Sequence, residues 1–147
     1  MQGAKVHVLA SSAHSIVRQT LEQRLTTQGV TLVDAQAKAE WVIQLGATTV
    51  NRAQTSLTGS GDVGSELITM TQPFQARQVT PDTLLLDTQV RVLRERRMAP
   101  GGLAAADRAW QSLQRQMAHT LVDRLYARVQ RSLDHPQSAP QKGEPQP

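Results

Sequence analysis

The sequence predicts an α+β fold: a two-layer sandwich with two helices packed on one face of a mainly antiparallel four-stranded sheet. Two segments, ending near Gln28 and Leu133, place apolar residues at helical spacing. Three consecutive segments between them alternate apolar and polar residues with period two, the mark of half-buried strands. Each helix carries a single apolar stripe, so both can cover the same sheet face.

The elements follow in order. Val6, Val8 and Ala10 share one face of a first strand over Lys5 to Ala10, with Leu9 on the other. Ser11 or Ser12 is a suitable N-cap for the next segment. Ile16, Val17, Leu21 and Leu25 then form a helical stripe, and Gly29 is placed as its C′ residue. Val30 to Val33 is a short apolar run. Glu40 to Val50 reads as one long strand, with Trp41, Ile43, Leu45 and Ala47 on one face and Val42, Gln44, Thr48 and Val50 on the other.

Leu67 to Arg77 is a strand with Ile68, Met70, Phe74 and Ala76 facing in. Pro73 restricts it to an edge or a bulge, because proline lacks the ladder N–H. Thr80-Pro81-Asp82 marks a turn. Thr83 to Arg94 is a further strand, with Leu84, Leu86, Val90 and Val92 inward. A long helix runs from about Leu103 to Leu133, with Ala106, Trp110, Leu113, Met117, Leu121 and Leu125 as its stripe. At about 100° per residue, Arg108 and Arg115 lie on its opposite side. Arg128 falls on the stripe itself, so the last turns should overhang the sheet or meet a partner. Residues 1–133 thus form one domain, and the proline-rich 134–147 should be a disordered tail.

Composition narrows the function. With 147 residues, one domain's worth of core is available, yet only four residues are aromatic, so Leu, Val, Ile, Ala and Met must build it. No run of about 18 apolar residues occurs, so no segment is expected to span a membrane as a helix. The absence of cysteine excludes disulfides, thiolate metal sites and cysteine nucleophiles. The net charge of +4 is uneven: from Arg91 to Arg131 nine arginines face only Glu95, Asp107 and Asp123. Such a basic stretch suits phosphate groups or an acidic partner; a solvated helix face is the simpler alternative.

Gly59, Gly61 and Gly64 match the dinucleotide-binding spacing G-x-G-x-x-G. That motif works only where a strand ends and a helix opens, whose N–H groups then receive the pyrophosphate. Here a strand pattern follows, so the glycines are read as a hairpin loop. The four histidines fall on separate elements without metal-ligand spacing, and no nucleophile elbow or P-loop is present. Glu66, beside the glycine loop, has no partner carboxylate in the sequence and is read as solvating the hairpin. No catalytic constellation emerges, and no cofactor or metal site is expected. RNA-binding sheets stack bases on exposed strand aromatics. Trp41 and Phe74 instead read as core-facing, and Trp110 as part of the helix stripe, so no nucleic-acid partner is expected. A stand-alone anionic-lipid or nucleic-acid binder using an Arg91–Arg108 basic patch remains the alternative reading.

In order, spacing and length the chain resembles the LPS-assembly lipoprotein LptE family, the outer-membrane partner of the β-barrel LptD. The segments that carry the resemblance are KVHVLA…IVRQTLEQRLTTQGVTLV, then WVIQLGATTV with the hairpin and GSELITMTQPFQ, then LLLDTQVRVLRERRMAPGGLAAADRAWQSLQRQMAHTLVDRLYARV. The resemblance implies two helices on a four-stranded sheet, and a non-catalytic protein that plugs the LptD barrel in a 1:1 heterodimer. It further implies help with barrel folding and contact with lipopolysaccharide during its transport to the cell surface. Such a protein is anchored at the periplasmic side of the outer membrane through an N-terminal lipidated cysteine. That cysteine and a signal peptide are not in this chain. The family's basic residues in the middle hairpin and near the second helix's start are not matched one for one. Lipopolysaccharide or anion binding is therefore expected at Arg94, Arg96, Arg97 and Arg108, whose guanidinium forks suit phosphates. Partner contact is expected at the hairpin tip, Gly59, Ser60, Gly61 and Asp62, and at Arg128.

Overall fold

A computed structural model describes residues 3–12, 15–57, 63–97 and 103–134. The order is β1 (Lys5–Ala10), α1 (Ile16–Thr27), β2 (Thr31–Leu32), a 3-10 turn (Gln36–Lys38), β3 (Trp41–Leu45), β4 (Thr49–Leu57), β5 (Val63–Gln78), β6 (Thr83–Arg97) and α2 (Leu103–Asp134). The α+β class holds, but the sheet is six-stranded and mixed rather than four-stranded and mainly antiparallel. Its path is β2-β1-β3-β5-β4, and β6 pairs with the other side of β5. The parallel pairs are β1 with β2 and β1 with β3, because α1 returns the chain beside β1 as a crossover.

Helix α1 shows how local sequence sets its ends. The expected cap at Ser11 or Ser12 moves to Ser15, whose Oγ accepts from the Arg18 N–H at 3.2 Å. The Ser11 N–H still donates to the Leu45 carbonyl at 3.3 Å, so the chain leaves the sheet later than expected. At the other end Gly29 adopts φ +82°, and the Val30 N–H reaches back to the Leu25 carbonyl at 2.9 Å. This is a Schellman closure, which needs a residue free to take positive φ. His7 is structural: its Nδ1 meets the Val33 carbonyl at 2.9 Å and ties down the connection after β2.

The segment expected as one strand, Glu40 to Val50, is two. Leu45 pairs with Phe74 and Thr49 pairs with Thr71, so three residues (Gly46, Ala47, Thr48) oppose two (Gln72, Pro73). This is a bulge. Pro73 offers no N–H to the neighbouring strand, while its carbonyl accepts from the Gly46 N–H at 2.9 Å. A Cβ at position 46 would come within 3.1 Å of the Pro73 ring, so glycine allows that approach. Gln72 is fully buried in an apolar row and fills the gap. Its Nε2 donates to the Gly46 and Pro73 carbonyls, both at 2.8 Å, and its Oε1 accepts from the Thr48 hydroxyl.

The extra residue reverses side-chain parity, since strand side chains alternate with period two. On β3 the odd residues Ile43 and Leu45 face the helices. On β4 the even residues do: Val50 pairs with the buried Met70, and Arg52 with the buried Ile68. Val50, expected on the face away from Ile43 and Leu45, is therefore on their side. A second bulge places Leu85 between the pairs Ala76–Leu86 and Arg77–Leu84. Leu85, rather than Leu84, is buried there.

One continuous core joins the layers, built from Val6, Val17, Leu21, Ile43, Ile68 and Met70 with Met117, Leu121 and Leu125 of α2. Ala118, Val122 and Val129 are buried as well, because α2 packs against α1 and the sheet at once, which widens its stripe. Ala106, expected on that stripe, is exposed. Asp134 closes α2, and the rest of the expected tail lies outside the described residues.

Candidate functional site

The bulge at Gly46–Thr48 determines what gathers at the far end of the sheet. Across β4, β5 and β6 one row reads Arg52, Ile68, Arg94, and the next reads Gln54, Glu66, Arg96. All of these share the helix-side face, where the apolar core gives way to charge. Above them α2 supplies Trp110 from its second turn.

Glu66 is the centre of the group, only 8% exposed. Its carboxylate accepts from Arg52 through two bonds, Nη2 at 2.8 Å and Nε at 3.3 Å, and from Arg96 Nε at 2.9 Å. The Arg52 and Arg96 guanidinium carbons lie 4.2 and 5.1 Å from the centre of the Trp110 ring. Both cations thus meet the negative ring face, an attraction that partial desolvation strengthens. Burial pushes the Glu66 carboxyl up more than any other single influence does. The hydrogen bonds and charges of Arg52 and Arg96 together outweigh it, and hold the carboxyl below its ordinary value. Glu66 is therefore a fixed anion at neutral pH. A group locked as a carboxylate between two guanidiniums is poorly suited to general acid catalysis, which needs a proton near the working pH.

With Arg94 half-buried on the same face and without a carboxylate partner among the described residues, the group keeps net positive charge. Chemically it can hold an anion by electrostatics and guanidinium forks.

The four arginines expected to bind anions do not form one patch. Arg94 and Arg96 face the helices; strand alternation turns Arg97 to the opposite, exposed face. Arg108 is exposed on α2, two residues before Trp110 and so about 200° around the helix from it. The hairpin residues Gly59, Ser60, Gly61 and Asp62 lie outside the described residues. The strands on either side of them pair antiparallel from Leu57–Val63 onward, and Gly64 is within β5 rather than before a helix. Arg128 is half-buried in a groove between α2 and β6, at a distance along the helix from Trp110.

Sequence reasoning missed three participants. Glu66 is buried between two arginines rather than solvating the hairpin, Arg52 is on the helix side, and Trp110 is half-buried against both guanidiniums. The available signal was Pro73 in mid-strand with a glycine in the neighbouring segment. Together they indicate a bulge and hence a parity change.

No family model and no curated protein matches the chain. Solved structures do. Rare lipoprotein B of Shewanella oneidensis aligns over 89% of this chain and 99% of its own, with 19% identity and a TM-score of 0.74. Lipoprotein B of Nitrosomonas europaea aligns over 90% and 88%, with 19% identity and a TM-score of 0.70. A minor lipoprotein of Acinetobacter baumannii aligns over 89% and 92%, with 17% identity and a TM-score of 0.69. At these identities the likeness is one of fold. The chain has the fold of the rare lipoprotein B structures, and the resemblance its sequence carries is matched at the level of fold.

Proposed function

We propose that this chain is a non-catalytic lipoprotein module that seats in the lumen of an LptD-type β-barrel at the periplasmic side of the outer membrane. There it assists barrel folding and takes part in lipopolysaccharide transport to the cell surface. The observation that carries the reading is alignment over 89% of this chain and 99% of the rare lipoprotein B chain. The structure adds physical support. Arg94, at the end of the sheet beside the ion-paired Glu66 cluster, has no carboxylate partner among the described residues, and its guanidinium fork suits phosphate oxygens.

Co-expression with the LptD-type barrel of the same organism tests this. The expected result is a 1:1 complex that survives size-exclusion chromatography. A folded barrel from which the chain elutes separately would end the proposal. The alternative of a stand-alone binder with one Arg91–Arg108 patch loses ground, because strand alternation divides those arginines between two sheet faces.

A further inference from the structure

The second half of α2 carries Arg124, Arg128 and Arg131 at spacings of four and three residues, which puts them on one helix face. They line a groove of about 320 Å³ against β6, with Val90 and Ala127 as its apolar floor. β6 is an outer strand, paired among the described residues with β5 alone. Arg124 Nη1 donates to the Arg91 carbonyl of this strand at 2.6 Å, which orients one guanidinium at the groove. None of the three has a carboxylate partner among the described residues. A helix C-terminus attracts cations, but that effect is confined to the last turn and so covers Arg131 alone. Arg124 and Arg128, one to two turns earlier, repel each other, and no carboxylate among the described residues pairs with either.

We propose that this groove is a phosphate-binding subsite, taking a phosphate group from a lipid headgroup or from a soluble phosphate compound. A phosphate monoester carries close to two negative charges and three acceptor oxygens, so one group can engage more than one guanidinium fork. A carboxylate brings one negative charge and two oxygens, so it neutralises less of the three guanidiniums' charge than a phosphate does. The apolar floor admits the carbon attached to the phosphate, and the helical rise of roughly 10 Å from Arg124 to Arg131 matches a headgroup rather than a folded partner. The subsite lies apart from the Glu66 cluster, where a carboxylate already occupies two arginines, and it does not rest on the barrel reading.

The test uses the isolated chain with phosphatidylcholine vesicles containing either phosphatidic acid or an equal charge of oleate, alongside soluble pyrophosphate. Phosphatidic acid vesicles should bind, and the double variant Arg128→Gln/Arg131→Gln should weaken that binding at least about tenfold. Arg115→Gln, elsewhere on α2, should bind as the wild type. Arg128→Lys/Arg131→Lys keeps the charge and the helix but loses the forks, and should weaken binding several-fold with an unchanged thermal midpoint. Pyrophosphate that binds with the same arginine dependence identifies a soluble phosphate as ligand; binding confined to vesicles identifies a lipid headgroup. Equal binding to oleate vesicles, wild-type affinity in the Gln pair, an equal loss in Arg115→Gln, or no binding to any phosphate probe would each overturn the proposal.

Discussion

At one end of the sheet Glu66 takes Arg52 Nη2 at 2.8 Å and Arg96 Nε at 2.9 Å, and Trp110 lies against both guanidiniums. Along the second half of α2, Arg124, Arg128 and Arg131 share one groove with no carboxylate partner among the described residues. Both regions use the same side chain. In the first, positive charge is partly spent on holding three strands and a helix together. In the second it is left available. Arginine content alone therefore says little about binding; what matters is whether a carboxylate has been placed inside the cluster.

That contrast can be broken at its strongest point by Glu66→Gln. The change leaves two guanidiniums without their anion, one of them, Arg96, only 19% exposed. The expected loss is about 2 kcal/mol in chemical denaturation, below the cost of breaking a fully buried pair because Arg52 is partly solvated. Linkage sharpens the same comparison. The Glu66 carboxyl is held below its ordinary value of 4.5 in the fold. A depressed pKa contributes stability that is present above the unfolded value and lost as pH falls through the folded one. The gap between wild type and Glu66→Gln should therefore narrow as acid titrations pass below pH 4.5. A gap that stays constant would show that the charge of Glu66 is not what stabilises the cluster.

Trp110→Ala should cost somewhat less, on the order of 1–2 kcal/mol, from lost apolar contact and two cation–π contacts at a half-buried position. Trp110→Phe should recover most of it. Smallest of all is Arg128→Gln/Arg131→Gln, expected within about 0.5 kcal/mol of wild type, since no ion pair is lost. Its effect should appear only with ligand: whichever of the two probes binds, pyrophosphate or phosphatidic acid, should raise the thermal midpoint of the wild type by mass action and raise the variant's far less. A variant as destabilised as Glu66→Gln would erase the distinction between the two regions.

Much of the fold was legible in the sequence. The helix stripe at Val17, Leu21 and Leu25, the stop at Gly29, and the inward row Ile68, Met70, Phe74 and Ala76 follow from periodicity alone. The bulge was not, because alternation from Trp41 to Val50 looks unbroken until the partner strand is known. That one extra residue decides the face of the β4 side chains as far as Gln54, and so brings Arg52 to Glu66. The charged group was hidden for the same reason: Arg52, Glu66, Arg96 and Trp110 come from four elements and meet only through register. The separation of Arg97 from Arg94 and Arg96, by contrast, could be read from alternation.

Both regions can be observed together in the arginine Nε–Hε resonances of the labelled chain as pyrophosphate or a short-chain phosphatidic acid is added. Arg52 and Arg96 should give slowly exchanging signals that do not move, while those of Arg128 and Arg131 shift and saturate. Shifts at Arg52 and Arg96 with none at Arg128 and Arg131 would contradict the account, because the paired cluster would then be the open site.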